Sequence, residues 1–266
     1  MLSLDGETRL HLIIGDPVGQ TRSPEGLTRE FATRKVNAVC IPVHVPAADF
    51  DPFMRAAKRV QNIDGYVITI PHKFAALGHC DEASDRAKFL GAANLMHRIA
   101  PGRWRGDMTD GVATVAALRR AGCEPGGAHA LVIGAGGAGS AVALALIEAG
   151  VEKLFVIDVD SERRSNLVHR LTLRAPAVVL GGPVITSDYD LVVNATPVGM
   201  KPADPLPIDA ANLDPSAFVA DLITKPVMTP LLEAARVRGC RVMTGEDMFA
   251  VQASYMADIL LAAPAS

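Results

Sequence analysis

Residues 130–141 read Ala-Leu-Val-Ile-Gly-Ala-Gly-Gly-Ala-Gly-Ser-Ala. The apolar residues 130–133 form a strand-like run, the glycines open a turn, and residues 140–149 continue as a helical stretch stopped by Gly150. A second apolar run, residues 153–158, closes on Asp158. Strand, glycine turn, helix and second strand together are the context that a Gly-x-Gly-x-x-Gly pattern requires before it points to a dinucleotide. Gly134 permits the tight turn, Gly136 lets the backbone approach a pyrophosphate, and Gly139 lets helix lie close on strand. The helix start offers its free amides and positive dipole end to the phosphates. Gly134, Ala135, Gly136, Gly137, Ala138 and Gly139 are thus the predicted pyrophosphate loop. Asp158 and Asp160 stand where an acid accepts hydrogen bonds from the adenosine ribose and repels a 2′-phosphate, which predicts NAD in preference to NADP. Arg163 and Arg164 follow closely, either within reach of a phosphate or solvated on an exposed helix face.

The chain has 266 residues, so more than a hundred precede this loop, room for a second domain of ordinary size. With 49% hydrophobic and 21% charged residues it reads as a globular protein with an ample core, and a net charge of -3 gives no basic field to attract nucleic acid. No run reaches the roughly eighteen apolar residues of a membrane span, and no basic-then-apolar leader is seen, so a cytoplasmic protein without a membrane partner is expected. Cys40, Cys80, Cys123 and Cys240 lack Cys-x-x-Cys spacing and the seven histidines show no His-x-x-x-His pair, so reduced thiols and no bound metal are expected.

Ahead of the loop, β-rich runs at residues 11–15, 39–45, 65–70 and 92–99 alternate with helix-like stretches at 25–34, 49–60 and 82–89. A helix over 108–121 ends at Gly122, with Thr109 or Asp110 as its cap. Beyond Asp158 come a helix at 161–174, strands at 177–180, 190–194 and 218–221, a helix at 229–238 and a strand at 240–243, the rhythm of a parallel sheet with crossovers. Residues 201–207 form a proline-rich exposed loop, and residues 246–262 are an amphipathic helix with no strand after it. The predicted fold class is α/β in two domains. Residues 1–109 form an α/β substrate domain completed by a C-terminal helix at 245–266, and residues 110–244 form a Rossmann-like, doubly wound dinucleotide domain.

A nicotinamide moves hydride only, so the other domain must hold the substrate carbon and a group that exchanges the hydroxyl proton. Lys73 is the candidate: it ends the run Asp64-Gly-Tyr-Val-Ile-Thr-Ile-Pro-His-Lys, and ligands of open α/β folds bind where strands end. On position alone an ordinary surface lysine fits as well. Asp110 opens a helix, where a carboxylate commonly caps amides. Asn94 near a strand end, Thr21-Arg22-Ser23-Pro24 before a helix, and Gln252 on the last helix each carry the same double reading.

A resemblance shifts that balance. Gly-Asp-Pro-Val-Gly-Gln-Thr-Arg-Ser-Pro at 15–24, Ile-Pro-His-Lys at 70–73, Gly-Ala-Ala-Asn-Leu at 91–95, Gly-Asp-Met-Thr-Asp-Gly at 106–111, the glycine loop, Asn-Ala-Thr-Pro-Val-Gly-Met at 194–200, Asp-Leu-Ile-Thr-Lys-Pro-Val-Met-Thr-Pro-Leu-Leu at 221–232, then Gly245 and Gln252, together resemble the shikimate dehydrogenase family in order. The resemblance implies an N-terminal substrate domain completed by the last helix, with a Rossmann-like domain between. It implies that Lys73 acts in proton transfer at the oxidised hydroxyl and that Asp110 hydrogen-bonds lysine and substrate. By the same resemblance Thr69, Asn94 and Gln252 hold ring hydroxyls, and Thr21 and Ser23 hold the carboxylate. The nicotinamide would be held by the loop 194–200, with Asn194, Thr196 and Pro197, and by backbone near Leu222 and Gly245.

The chain departs from the family pattern at several places. The usual Asn-Arg-Thr after the second Rossmann strand reads Asp158-Val159-Asp160, again favouring NAD. Thr224 replaces a common tyrosine and Thr21 a serine, which alters carboxylate recognition, and Leu95 and Met108 stand where threonine and asparagine are usual. The leading expectation is an NAD(P)-dependent dehydrogenase, NAD preferred, acting on a CH–OH group of quinate, shikimate, an amino analogue or another cyclic polyhydroxy acid, as monomer or homodimer. The alternative is an NAD-binding regulatory or sensor protein of the same fold without turnover.

Overall fold

The computed structural model describes residues 4–176, 178–180 and 189–262. The chain divides into two compact units, one formed by Met1–Thr109 with Gln252–Ser266 and the other by Asp110–Val251.

The first unit contains β1 (Arg9–Gly15), α1 (Ser23–Thr33), β2 (Ala38–His44), α2 (Phe50–Ala57), β3 (Ile63–Ile68), α3 (Lys73–Leu77), β4 (Glu82–Ala83), α4 (Asp85–Leu90), β5 (Leu95–Ala100) and β6 (Arg103–Asp107). Its six-stranded sheet has the order β2-β1-β3-β5-β6-β4. β1 lies between β2 and β3 and is parallel to both, as the two helical crossovers require. β5 then returns antiparallel to β3, and β6 antiparallel to β5 through the turn at Gly102, whose φ is +75°. Leu12, Ile14, Phe50, Met54, Tyr66, Ile68, Met96 and Trp104 close into one core cluster. Each such apolar side chain contributes about 1.5–3 kcal/mol on burial.

Two expectations are corrected here. The helix anticipated over residues 82–89 begins only at Asp85, with Ser84 as its cap accepting from the Ala87 amide, while Glu82–Ala83 pairs with β6. β6 itself escaped the sequence reading. Its alternation is visible in hindsight, because Trp104 and Gly106 point inward while Arg103 and Arg105 face solvent.

The second unit contains α5 (Asp110–Arg120), β7 (His129–Ile133), α6 (Gly137–Glu148), β8 (Lys153–Ile157), α7 (Ser161–Arg174), β9 (Val179–Leu180), β10 (Leu191–Asn194), β11 (Phe218–Asp221), α8 (Pro230–Val237), β12 (Arg241–Met243) and the start of α9 (Gly245–Leu260). Of the strand anticipated at 177–180, Ala177 lies outside the described residues. All six strands are parallel, in the order β12-β11-β10-β7-β8-β9. This is the doubly wound arrangement in which the first strand lies mid-sheet and the order reverses beside it. α6 is apolar all round and buries residues 139–146, as a helix packed against sheet and helix must. α5 approaches it so closely that a Cβ at Gly111 would collide with the Ala141 carbonyl.

Candidate active site

In the first unit the chain leaves β3 through Thr69, Ile70, Pro71 and His72. The Thr69 amide donates to the Ile14 carbonyl at 2.9 Å and the Asp16 amide to the Ile70 carbonyl at 2.8 Å, which sews this segment to the end of β1. Glycine is needed at position 15, because a Cβ there would collide with the Thr69 side chain. His72 turns inward, stacks on Phe50 with ring centroids 4.3 Å apart, and donates from Nε2 to the Val45 carbonyl at 2.8 Å. That anchor sets the position of its neighbour. Lys73, the first residue of α3, is drawn in until it is 9% exposed, an uncommon state for an ordinary surface lysine.

The Lys73 carbonyl accepts the Ala93 amide at 2.9 Å, which places Asn94 one residue away. Asn94 is buried, and both ends of its carboxamide engage Thr109: Nδ2 donates to Thr109 Oγ1 at 2.9 Å, and Oδ1 accepts the Thr109 amide at 2.8 Å. Gln252, buried on α9, donates from Nε2 to the same hydroxyl at 3.2 Å. Thr109, read from sequence only as a possible helix cap, is the hub of this polar group. No local signal marks it, because its partners lie 15 and 143 residues away.

The remaining first-unit candidates lie after β1 or at its neighbour's end. Thr21 is half-buried and its hydroxyl donates to the Val18 carbonyl at 2.8 Å, closing a turn, and Ser23 is buried as the first residue of α1. Thr69 is half-buried at the exit of β3. Asp110 and Thr224 belong to the second unit: Asp110, buried, opens α5 with its carbonyl accepting the Thr114 hydroxyl at 2.8 Å, and Thr224 is half-buried three residues past β11.

The glycine loop joins β7 to α6 in the second unit. Gly134 has φ +101°, which only glycine adopts freely, and Gly139 fits because any Cβ there would collide with the Gly134 carbonyl. Gly136 caps α6 in extended conformation with no side-chain hydrogen bond, and nothing lies within 4 Å of where its Cβ would be. A twelve-residue helix therefore starts without a side-chain cap for its first amides, beside a residue that leaves space open. This cradle fits a dinucleotide pyrophosphate, which the loop from Gly134 through Ala138 to Gly139 and the amides that follow Gly136 would hold.

Asn194, Thr196, Pro197, Leu222 and Gly245 gather at the ends of β10, β11 and β12. Asn194 Oδ1 accepts the Thr196 hydroxyl at 2.7 Å, its Nδ2 donates to Asp221 at 3.1 Å, and the Leu222 amide reaches the Asn194 carbonyl at 3.0 Å. Pro197 is exposed on that loop, and Gly245 packs so close to the backbone after β11 that a Cβ would collide with the Ile223 carbonyl. Asp221, unmarked in the sequence reading except as part of a motif, ties these ends together. Burial pushes its carboxyl upward, opposed by hydrogen bonds from the Ile223 amide, Asn194 and the Thr229 hydroxyl. Among the described residues, no group of three or more His, Cys, Asp or Glu side chains could hold a metal ion, and no helix is long and apolar enough to cross a membrane.

Comparison with known proteins gives the site its context. A family model described as the shikimate dehydrogenase substrate-binding domain matches residues 13–96, and one described as the ThiF family matches residues 126–178. A curated shikimate dehydrogenase (NADP(+)) of Rubrobacter xylanophilus is 36% identical over 260 residues, covering 94% of this chain and 89% of that protein. A crystal structure of a shikimate dehydrogenase in complex with NADP+ superposes with a TM-score of 0.89 at 26% identity, covering 98% of this chain and 93% of that one. The Thermus thermophilus enzyme in complex with NADP(H) and shikimate gives a TM-score of 0.85 at 28% identity, covering 97% and 95%.

These findings overturn the expected NAD preference, since relatives spanning nearly the whole chain carry the name NADP(+). The physical reason lies in what Asp158 and Asp160 actually bind. Asp158 accepts the Ala135 amide at 2.7 Å and the Asp160 amide at 2.8 Å, its side chain is 6% exposed, and the Arg163 guanidinium lies 3.6 Å away. Asp160 caps α7 by accepting the Arg163 amide at 2.9 Å, a bond that holds its carboxyl below the usual range, and it also pairs with the Arg163 guanidinium at 3.0 Å. Both acids hold the turn through backbone amides and share the Arg163 guanidinium, so neither stands unengaged toward a ribose, and a cation lies beside them.

Proposed function

This chain belongs to the shikimate dehydrogenase family, and from that premise we propose that it interconverts a ring hydroxyl and a ketone of shikimate or a close cyclic polyhydroxy acid with NADP as partner. The bound dinucleotide supplies the hydride acceptor in oxidation and the hydride donor in reduction. In oxidation, hydride leaves the ring carbon while the hydroxyl proton passes to Lys73 Nζ; in reduction Lys73 returns that proton to the carbonyl oxygen. Asp110 is proposed to hydrogen-bond lysine and substrate hydroxyl.

Thr69, Asn94 and Gln252 are proposed to orient the ring through its other hydroxyls, with Thr109 fixing the two amides. Thr21, Ser23 and Thr224 are proposed for the carboxylate end, and the loop from Asn194 through Thr196 and Pro197, with Leu222 and Gly245, for the nicotinamide. Arg163 is proposed to face the 2′-phosphate.

The observation that carries this reading is the withdrawal of Lys73 from solvent beside the buried Asn94, Thr109 and Gln252 group. Chain folding places an amine where desolvation must be compensated by function or by partners. The test is NADPH formation from shikimate and quinate by the natural chain and by Lys73→Met. Turnover should fall by about 100-fold or more in the variant, the usual scale of proton-transfer catalysis. Undiminished turnover would remove Lys73 from the reaction, and NADP binding with no turnover on either acid would favour a regulatory protein of this fold.

A further inference from the structure

The first unit carries a concentration of positive charge outside the residues discussed above. A cavity of about 480 Å³ is lined by Arg55, Lys58, Arg59, Gln61, His79 and Arg98. Two of its cations are fixed in place by backbone carbonyls. Lys58 Nζ donates to the His79 carbonyl at 2.6 Å, and Arg98 donates to the Val60 carbonyl at 2.8 Å and the Ile63 carbonyl at 2.6 Å while lying 4.6 Å over the Trp104 ring. Carbonyls orient both groups, and Asp64 offsets part of the Arg98 charge from 3.7 Å. Arg55 and Arg59, one helical turn apart on the exposed face that begins in α2, form no ion pair among the described residues.

Two acids touch this group. Asp51 accepts from His79 Nε2 at 2.7 Å, a bond that together with the charge of Arg55 holds its carboxyl below the usual range, and Asp64 is held by Arg9 at 2.7 Å. The four Arg and Lys side chains of the lining thus outnumber the carboxylates beside them. The lining residues carry no aromatic face apart from the imidazole, so recognition there rests on the charged and hydrogen-bonding ends of these side chains rather than on stacking.

We propose that this cavity is a second binding site, for a small polyanion carrying phosphoryl or carboxyl groups. The pre-set Lys58 and Arg98 meet the anion with their orientation already fixed, and Arg55 and Arg59 close on it with guanidinium forks suited to planar oxyanions. The volume exceeds that needed by a single inorganic ion and falls in the range of metabolite-sized ligands. This inference is independent of the dehydrogenase reading, since none of its residues is assigned to substrate or dinucleotide.

The test is amide-resolved NMR titration of the full chain at constant ionic strength, with inorganic pyrophosphate and citrate as separate probes and chloride as control. Saturable shifts at residues 55–61, 79 and 98–102 are expected with one or both probes, and the stronger probe identifies the phosphoryl or the carboxyl source. In the variant Arg55→Gln/Arg59→Gln, affinity read at these amides should weaken about tenfold or more, because two charge-assisted hydrogen bonds are lost. Both positions are exposed, so the variant should keep the fold and the natural turnover on shikimate. Shifts confined to residues 134–140, equal shifts with chloride, or unchanged affinity in the double variant would overturn the proposal.

Discussion

Gln252 Nε2 donates to Thr109 Oγ1 over 3.2 Å, so the last helix is pinned to the end of β6 by a buried hydroxyl that also receives Asn94. Thr109→Val keeps the shape and removes the hydroxyl to which both buried amides donate. Loss of buried hydrogen bonds of this kind costs about 1–3 kcal/mol, so urea unfolding of the variant should show a lower midpoint. The KM for shikimate should rise as well, since the amides proposed to orient the ring lose their common anchor. An unchanged KM alongside lowered stability would restrict Thr109 to a structural role.

Cofactor choice gives a second prediction. Arg163 is about half exposed, pairs with the surface carboxylate of Asp160 at 3.0 Å and lies 3.6 Å from the buried Asp158, whose oxygens are already held by two backbone amides; the surface pair is worth about 1 kcal/mol or less to stability. Arg163→Ala should therefore leave thermal unfolding nearly unmoved. Affinity for NADP should nevertheless weaken by about tenfold, the scale of one charge-assisted phosphate contact, while affinity for NAD changes little. Fluorescence titration with both dinucleotides checks this, and equal weakening for the two would show that Arg163 supports the turn rather than the phosphate.

The glycine loop was legible in the sequence because its demands are local: a positive φ at Gly134 and a close approach at Gly139 leave no other residue type comfortable. The parallel order around β7 was legible for a similar reason, since strand and crossover alternate along the chain. Other features depended on distance. The sign of charge at Asp158 could be read, but not that its oxygens accept the Ala135 and Asp160 amides, and the cofactor expectation failed there. Thr109 could not be picked out because its bonds are made by residues remote in sequence. Trp104 offered a real signal for β6, an aromatic residue alternating with two arginines, yet five residues is too short a run to stand out against its neighbours.

Two glycines of the loop should separate folding from binding. Gly139→Ala drives a methyl group into the Gly134 carbonyl, an overpacking that costs about 1–3 kcal/mol, so both the unfolding midpoint and dinucleotide affinity should drop. Gly136 has φ -70° and ψ -172°, which alanine adopts without strain, and its Cβ would meet nothing within 4 Å. Gly136→Ala should keep full stability and still weaken dinucleotide binding, because the methyl group occupies the approach to the helix amides. Calorimetric unfolding and dinucleotide titration of the two variants side by side check this, and full affinity in Gly136→Ala would place the pyrophosphate elsewhere.

Acid sensitivity should originate in the first unit at His11. This residue of β1 is 1% exposed, lies against Phe31 with ring centroids 4.6 Å apart, and its buried Nδ1 has no hydrogen-bond partner. Gly65 makes its room, since a Cβ there would come within 2.6 Å of Nδ1. Burial depresses its pKa to about 4 from an ordinary 6.5, with Asp64 pulling weakly upward and Arg9 downward. Above pH 6.5 the ring is neutral in folded and unfolded chains and contributes no pH dependence. As pH falls from 6.5 toward 4, the unfolded chain takes up a proton that the folded one refuses, so stability drops across that window, by about 3 kcal/mol in all. His11→Leu removes the titrating group, so urea unfolding followed from pH 7 to pH 4 should show a shallower loss in the variant than in the natural chain. Parallel curves would mean that the imidazole is protonated equally in both states and that acid unfolding begins at another group.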